Sequence, residues 1–103
     1  MIELRAESVR YYSQQDEDSF FYRLKAIPEV QDIYGSGRCL YIKCDASLAD
    51  DSLRELVAVF FRYHVDTAQL DVFATNENKH WFMNPDSYWR GSAGLRIKSA
   101  ADG

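Results

Sequence analysis

Two short runs rich in β-branched and aromatic residues, Val30 to Tyr34 and Arg38 to Lys43, flank the tripeptide Gly35-Ser36-Gly37. Glycine supplies the positive φ that tight turns require, so this stretch predicts a β-hairpin. Side chains alternate along a strand. In the second arm Leu40, Ile42 and Cys44 therefore share one face, and Cys39, Tyr41 and Lys43 share the other. A phosphate-binding loop leads from a strand into a helix N-terminus, and a nucleophile elbow needs Gly-x-Ser-x-Gly at such a junction. These glycines lead into a strand, so the hairpin reading stands.

The flanking sequence adds elements on both sides. Ile2 to Glu7 alternates apolar and charged residues, which predicts a strand with one buried face. Asp16, Glu17 and Asp18 collect where a helix dipole favours acids, and Phe20, Phe21, Leu24 and Ile27 recur at helical spacing until Pro28. Ser52-Leu53-Arg54-Glu55 fits a capping box, and Ser47-Leu48-Ala49-Asp50 fits nearly as well. Leu53, Leu56, Val57, Phe60 and His64 form one stripe, predicting a second helix over roughly Asp50 to Tyr63. Leu70 to Ala74 alternates again and reads as a last strand. The order β-α-β-β-α-β predicts an α+β ferredoxin-like sandwich: a four-stranded antiparallel sheet with two helices on one face and a C-terminal aromatic-rich extension. Another α+β pairing of the same elements is the alternative. One domain over residues 1–98 is expected, with a disordered tail over 99–103, where Ser-Ala-Ala-Asp-Gly offers little to bury.

Composition narrows the function classes. The net charge is −4, from 12 Lys+Arg against 16 Asp+Glu, which opposes general nucleic-acid binding. Charges at Glu3, Arg5 and Glu7 argue against a signal peptide, and no run approaches the roughly 20 apolar residues of a membrane span. A soluble cytoplasmic protein with reduced thiols is expected. Cys39 and Cys44 lie on opposite strand faces by their odd spacing, so Cys44 reads as a core residue and Cys39 as the more accessible thiol. The histidines, His64 and His80, belong to no metal-ligand spacing. His64 suits a helix C-terminus. His80 adjoins aromatic residues but has no motif partner. No cofactor, metal or catalytic set is expected.

The segment KHWFMNPDSYWRGSAG holds Trp81, Phe82, Tyr88 and Trp89. Four such side chains carry on the order of 600–1,000 Å², while the largest apolar patch of a typical monomer is about 300–600 Å². At least half of the cluster should therefore be buried. Asn84-Pro85-Asp86-Ser87 admits either a short helix capped by Asn84 and ending near Gly91, which is preferred, or a type I turn joining a hairpin. The candidate partner-binding residues are Asp16, Glu17, Asp18, Asp50 and Asp51, together with Trp81, Tyr88, Trp89 and Arg90. If the two helices ran in one direction, their acidic N-termini would merge into a single surface suited to a basic partner.

The runs FFYRLKAIPEVQDIYGSGRCLYIKC, SLRELVAVFFRYHV and WFMNPDSYW resemble small acidic bacterial immunity proteins of polymorphic and contact-dependent toxin systems. That resemblance covers roughly residues 1 to 90 and transfers no family site residue. It implies a cytoplasmic, non-catalytic module that binds and neutralises a basic, nuclease-like toxin domain, as a monomer or homodimer. The alternatives are a small-ligand-binding or regulatory ferredoxin-like domain, possibly dimeric, and an enzyme using His80.

Overall fold

The structure is a computed structural model that describes residues 1–90. It divides into two compact units, one of Met1–Phe73 and one beginning at Ala74. The expected tail at 99–103 lies outside the described residues.

The first unit runs β1 (Ile2–Glu7), α1 (Gln14–Lys25), β2 (Val30–Ser36), β3 (Cys39–Cys44), α2 (Asp50–Arg62) and a 3₁₀ helix (Ala68–Phe73). The sheet has three antiparallel strands in the order β1-β3-β2. Only two residues, Gly37 and Arg38, join β2 to β3. Gly37 has φ +63 with open space where a Cβ would sit, so the backbone angle alone demands glycine there.

The ferredoxin-like expectation fails at its fourth strand. Residues 70–73 belong to the 3₁₀ helix instead. The Asp66 carboxylate accepts from the Ala68 amide at 2.9 Å, and the Leu70 amide donates to the Thr67 carbonyl at 3.0 Å, turning the chain tightly. Leu70 and Phe73 are buried, while Val72 is 59% exposed. A spacing of three satisfies the apolar residues better than the alternation in the sequence.

Both helices contribute to one core. Leu4 and Ala6 of β1 and Ile42 and Cys44 of β3 are buried, as are Phe20 and Leu24 of α1 and Leu53, Leu56, Val57, Val59 and Phe60 of α2. α1 begins two residues before its acids, so Asp16 and Glu17 fall in its first turn, where the helix dipole favours them. The Ser13 hydroxyl accepts from the Asp16 amide at 3.2 Å, and the Asp16 carboxylate accepts from the Tyr12 amide at 2.9 Å. α2 uses neither candidate capping box: Ala49 is its N-cap, and no side chain bonds from that position. Instead Glu29 reaches across 20 residues, its Oε2 accepting from the Ala49 amide at 3.0 Å. A cap contributes about 1 kcal/mol, whereas each buried Leu or Phe contributes roughly 1.5–3 kcal/mol. Apolar burial therefore decides where α2 lies, and the distant cap fixes where it starts.

The helices are antiparallel. β1 and β2 both oppose β3, so they point the same way. α1 must return the chain from the end of β1 to the start of β2, and α2 follows the opposed strand. Two contacts record the result. The Tyr63 hydroxyl after α2 donates to the Asp16 carbonyl near the start of α1, at 3.0 Å. At the other end, Arg23 faces Glu55 at 3.7 Å. α2 closes with the Val65 amide on the Phe60 carbonyl at 2.8 Å and the His64 amide on the Phe61 carbonyl at 3.3 Å, a Schellman arrangement. His64 occupies its left-handed position at φ 61, so it leaves the apolar stripe and is exposed.

In the second unit, the Asn78 amide donates to the Thr75 hydroxyl at 3.1 Å and Asn78 Oδ1 accepts from the Thr75 amide at 2.8 Å, preparing the short helix α3 (Lys79–Phe82). Asn84 to Ser87 form a turn, with the Ser87 amide on the Asn84 carbonyl at 3.1 Å and the Asp86 amide on Asn84 Oδ1 at 2.9 Å. Residues 88–90 are helical again. The proline thus sits in a turn between helical segments. The preferred helix starting at Asn84 and the hairpin are both displaced.

Candidate binding site

The helices leave one sheet face uncovered within the first unit. Strand register sets three rows on it: Glu3-Lys43-Asp32, Arg5-Tyr41-Tyr34 and Glu7-Cys39-Ser36, each read across β1, β3 and β2. An irregularity between Val30 and Asp32 keeps Asp32 and Tyr34 on this face. The extra residue, Gln31, donates its side-chain amide to the Asp45 carboxylate at 3.2 Å.

The middle row is ordered before any partner arrives. The Tyr34 and Tyr41 rings stack with centroids 5.1 Å apart and planes 19° apart. The Arg5 guanidinium lies over Tyr41 at 5.9 Å, and the Lys43 ammonium over Tyr34 at 5.4 Å. The Tyr34 hydroxyl donates to Glu3 Oε2 at 2.6 Å, spanning the sheet. That bond, with the nearby carboxylates, pushes the hydroxyl up to about 12, so it remains a donor at physiological pH. Arg5 also pairs with Glu7 at 2.8 Å. Exposed contacts of this kind contribute at most about 1 kcal/mol each. Their main effect is to limit the rotamer freedom that binding would otherwise remove. Tyr34 remains 39% exposed.

The residues singled out from sequence do not form one site. Asp16, Glu17 and Asp18 lie in the first turns of α1, and Asp50 and Asp51 in the first turn of α2. Because the helices are antiparallel, these groups occupy opposite ends of the first unit, and the merged acidic surface does not form. Trp81, Tyr88, Trp89 and Arg90 belong to the second unit. Trp89 is buried, with its ring 5.2 Å from Phe82. Arg90 covers Trp89 at 4.1 Å and Phe82 at 5.0 Å, and its Nε donates to the Phe82 carbonyl. Phe82 is buried and Trp81 partly so, leaving Tyr88, at 56%, the most exposed aromatic of the cluster. Alternation placed Tyr41 outward. Tyr34 and Arg5 were missed as its neighbours, because only the pairing register brings them into its row.

Cys44 is buried in the core, and burial followed by nearby carboxylates pushes its thiol up to about 11. Cys39 is half-buried on the open face. His80 is exposed on α3. Among the described residues no cluster of three or more His, Cys, Asp or Glu suits a metal ion, and no helix is long and apolar enough to cross a membrane. No protein-family model, curated protein or solved structure matches the chain.

Proposed function

We propose that this chain is a non-catalytic protein-binding module of the immunity type, which covers and neutralises a basic bacterial toxin domain in the cytoplasm. The observation that carries the reading is the ordered Arg5-Tyr41-Tyr34 row on the open sheet face. Tyrosine and arginine dominate interface hot spots, and here they form a centre flanked by Glu3, Glu7 and Asp32, with Lys43 between Glu3 and Asp32. Acidic flanks favour encounter with a basic surface, as does the net charge of −4. Tyr88, exposed in the second unit, is a separate candidate contact.

The test is co-expression with the product of the adjacent upstream gene. A stable complex and relief of that product's toxicity are expected. Tyr34→Ala and Tyr41→Ala should each weaken the complex at least tenfold, a typical hot-spot loss, while the circular dichroism of the free protein stays native. A soluble partner that forms no complex, or affinity indifferent to both substitutions, refutes the reading.

A further inference from the structure

We propose a second site on the first unit, for a phosphate-bearing small ligand, in the cleft where β1 leaves the sheet beside the end of α2. Glu7, Ser8, Arg10, Tyr12, Asp16, Arg62, Tyr63 and His64 line a cleft of about 390 Å³. That lies within the roughly 300–1,000 Å³ range of small-molecule pockets. Two shallower depressions adjoin it, one sharing Ser8 and Arg10 and adding Arg38, the other sharing Glu7 and His64 and adding Arg5. Four arginines, Arg5, Arg10, Arg38 and Arg62, thus line the cleft and its two side depressions, with Glu7 and Asp16 in the cleft and Glu17 and Asp66 in the depressions.

The cleft's arginines are not fully matched by its carboxylates. Glu7 is met by Arg5 at 2.8 Å, so Asp16, which keeps its charge while accepting from the Tyr12 amide at 2.9 Å, is the one carboxylate left against Arg10 and Arg62. Arg10 and Arg62 make no side-chain hydrogen bond or ion pair among the described residues. They are forked donors, suited to two oxygens each of a tetrahedral dianion. Ser8 and His64 are the non-glycine residues at positive φ among those described, at 50° and 61°, and both line this cleft. Each replaces the glycine such a position favours with a side chain that carries a hydrogen-bonding group. The Ser8 amide is tied to the Arg38 carbonyl at 2.8 Å, which fixes the turn that carries Arg10. Tyr12, 82% exposed, stands at the rim and offers a ring to the body of an ester.

This site does not rest on the protein-partner reading, and Tyr34→Ala should leave it unchanged. The test is a backbone-amide NMR titration with inorganic phosphate and with O-phosphoserine, against sodium chloride at equal ionic strength. Saturable shifts are expected at Ser8, Arg10, Arg62 and His64, with phosphoserine binding at least as well as phosphate. Arg10→Gln and Arg62→Gln should each weaken binding about 10–100-fold, the loss of a charge-assisted bond. Arg54→Gln, on α2 outside the cleft, should not. Shifts equal to those in chloride, a loss no greater than that of Arg54→Gln, or phosphate binding with phosphoserine excluded would each overturn the proposal.

Discussion

Gln69 holds the backbone of Arg5 with both ends of its amide: Oε1 accepts from the Arg5 amide at 2.9 Å, and Nε2 donates to the Arg5 carbonyl at 2.8 Å. One side chain thereby satisfies the outward amide and carbonyl of Arg5, on the edge of β1 where a fourth strand would have paired. Nε2 also donates to the Asp66 carbonyl at 2.9 Å, tying the edge to the turn before the 3₁₀ helix.

Gln69→Ala removes all three bonds. Water can replace them at this exposed edge, so the loss should be about 1–2 kcal/mol. For a domain of this size that lowers Tm by roughly 5–15 °C. Amide hydrogen exchange at Arg5 should accelerate by more than at Leu4 or Ala6, which face β3. The bare edge should also promote self-association, detectable by light scattering. Unchanged exchange at Arg5 would remove the edge role from Gln69.

The same pair of residues explains what the sequence could and could not reveal. The hairpin, both helices and the inward face of β3 follow from turn residues and periodicity, which are local signals. Leu70 and Val72 alternate as in a strand although they lie in a 3₁₀ helix, and the local signal against a strand is Asp66, two residues before Ala68, whose carboxylate makes the turn. The Arg5-Tyr41-Tyr34 row depends on register between distant strands, and the separation of the acidic clusters depends on strand direction. Neither is encoded locally. Glu29 is similar: nothing near Ala49 announces that the cap comes from residue 29.

His64 offers a test of sign. A non-glycine residue in the left-handed region costs about 1–2 kcal/mol, and glycine returns about 0.5–1 kcal/mol of that through unfolded-state entropy. His64→Gly should therefore stabilise the protein by roughly 0.5–1 kcal/mol in urea denaturation. His64→Val should destabilise it by about 1 kcal/mol or more, since β-branching worsens the strain. A destabilised His64→Gly variant would mean that the imidazole contributes contacts exceeding its backbone strain.

The cysteines should separate by reactivity. At pH 8 in the folded protein, iodoacetamide should modify Cys39 and leave Cys44 intact, because burial shields the Cys44 thiol and pushes it up to about 11. Mass spectrometry should find one adduct before denaturation and two after. Modification of Cys44 at a rate similar to Cys39 would show that the β3 end opens far more often than global unfolding requires.

The Glu29 cap should give stability a specific acid dependence. The Ala49 amide, followed by the Ser52 hydroxyl, holds this carboxyl below the usual glutamate range. The Ser52 contact falls short of hydrogen-bond geometry, since Glu29 Oε1 is sealed from solvent without a partner. A group with a lowered folded-state pKa binds its proton more readily when unfolded. Its contribution is therefore complete above the ordinary glutamate value of about 4.3, and is lost as pH falls through that value and on past the folded one. Glu29→Gln keeps the shape and lets its amide oxygen accept the Ala49 bond, but removes the charge that complements the start of α2. The variant should lose on the order of 0.5–1 kcal/mol at pH 7 and nearly nothing once the wild-type carboxyl is protonated. Urea midpoints of the two proteins, measured from pH 7 downward, should draw together as pH falls below the ordinary glutamate value and meet once the folded carboxyl is protonated. Parallel curves across that range would sink the capping role.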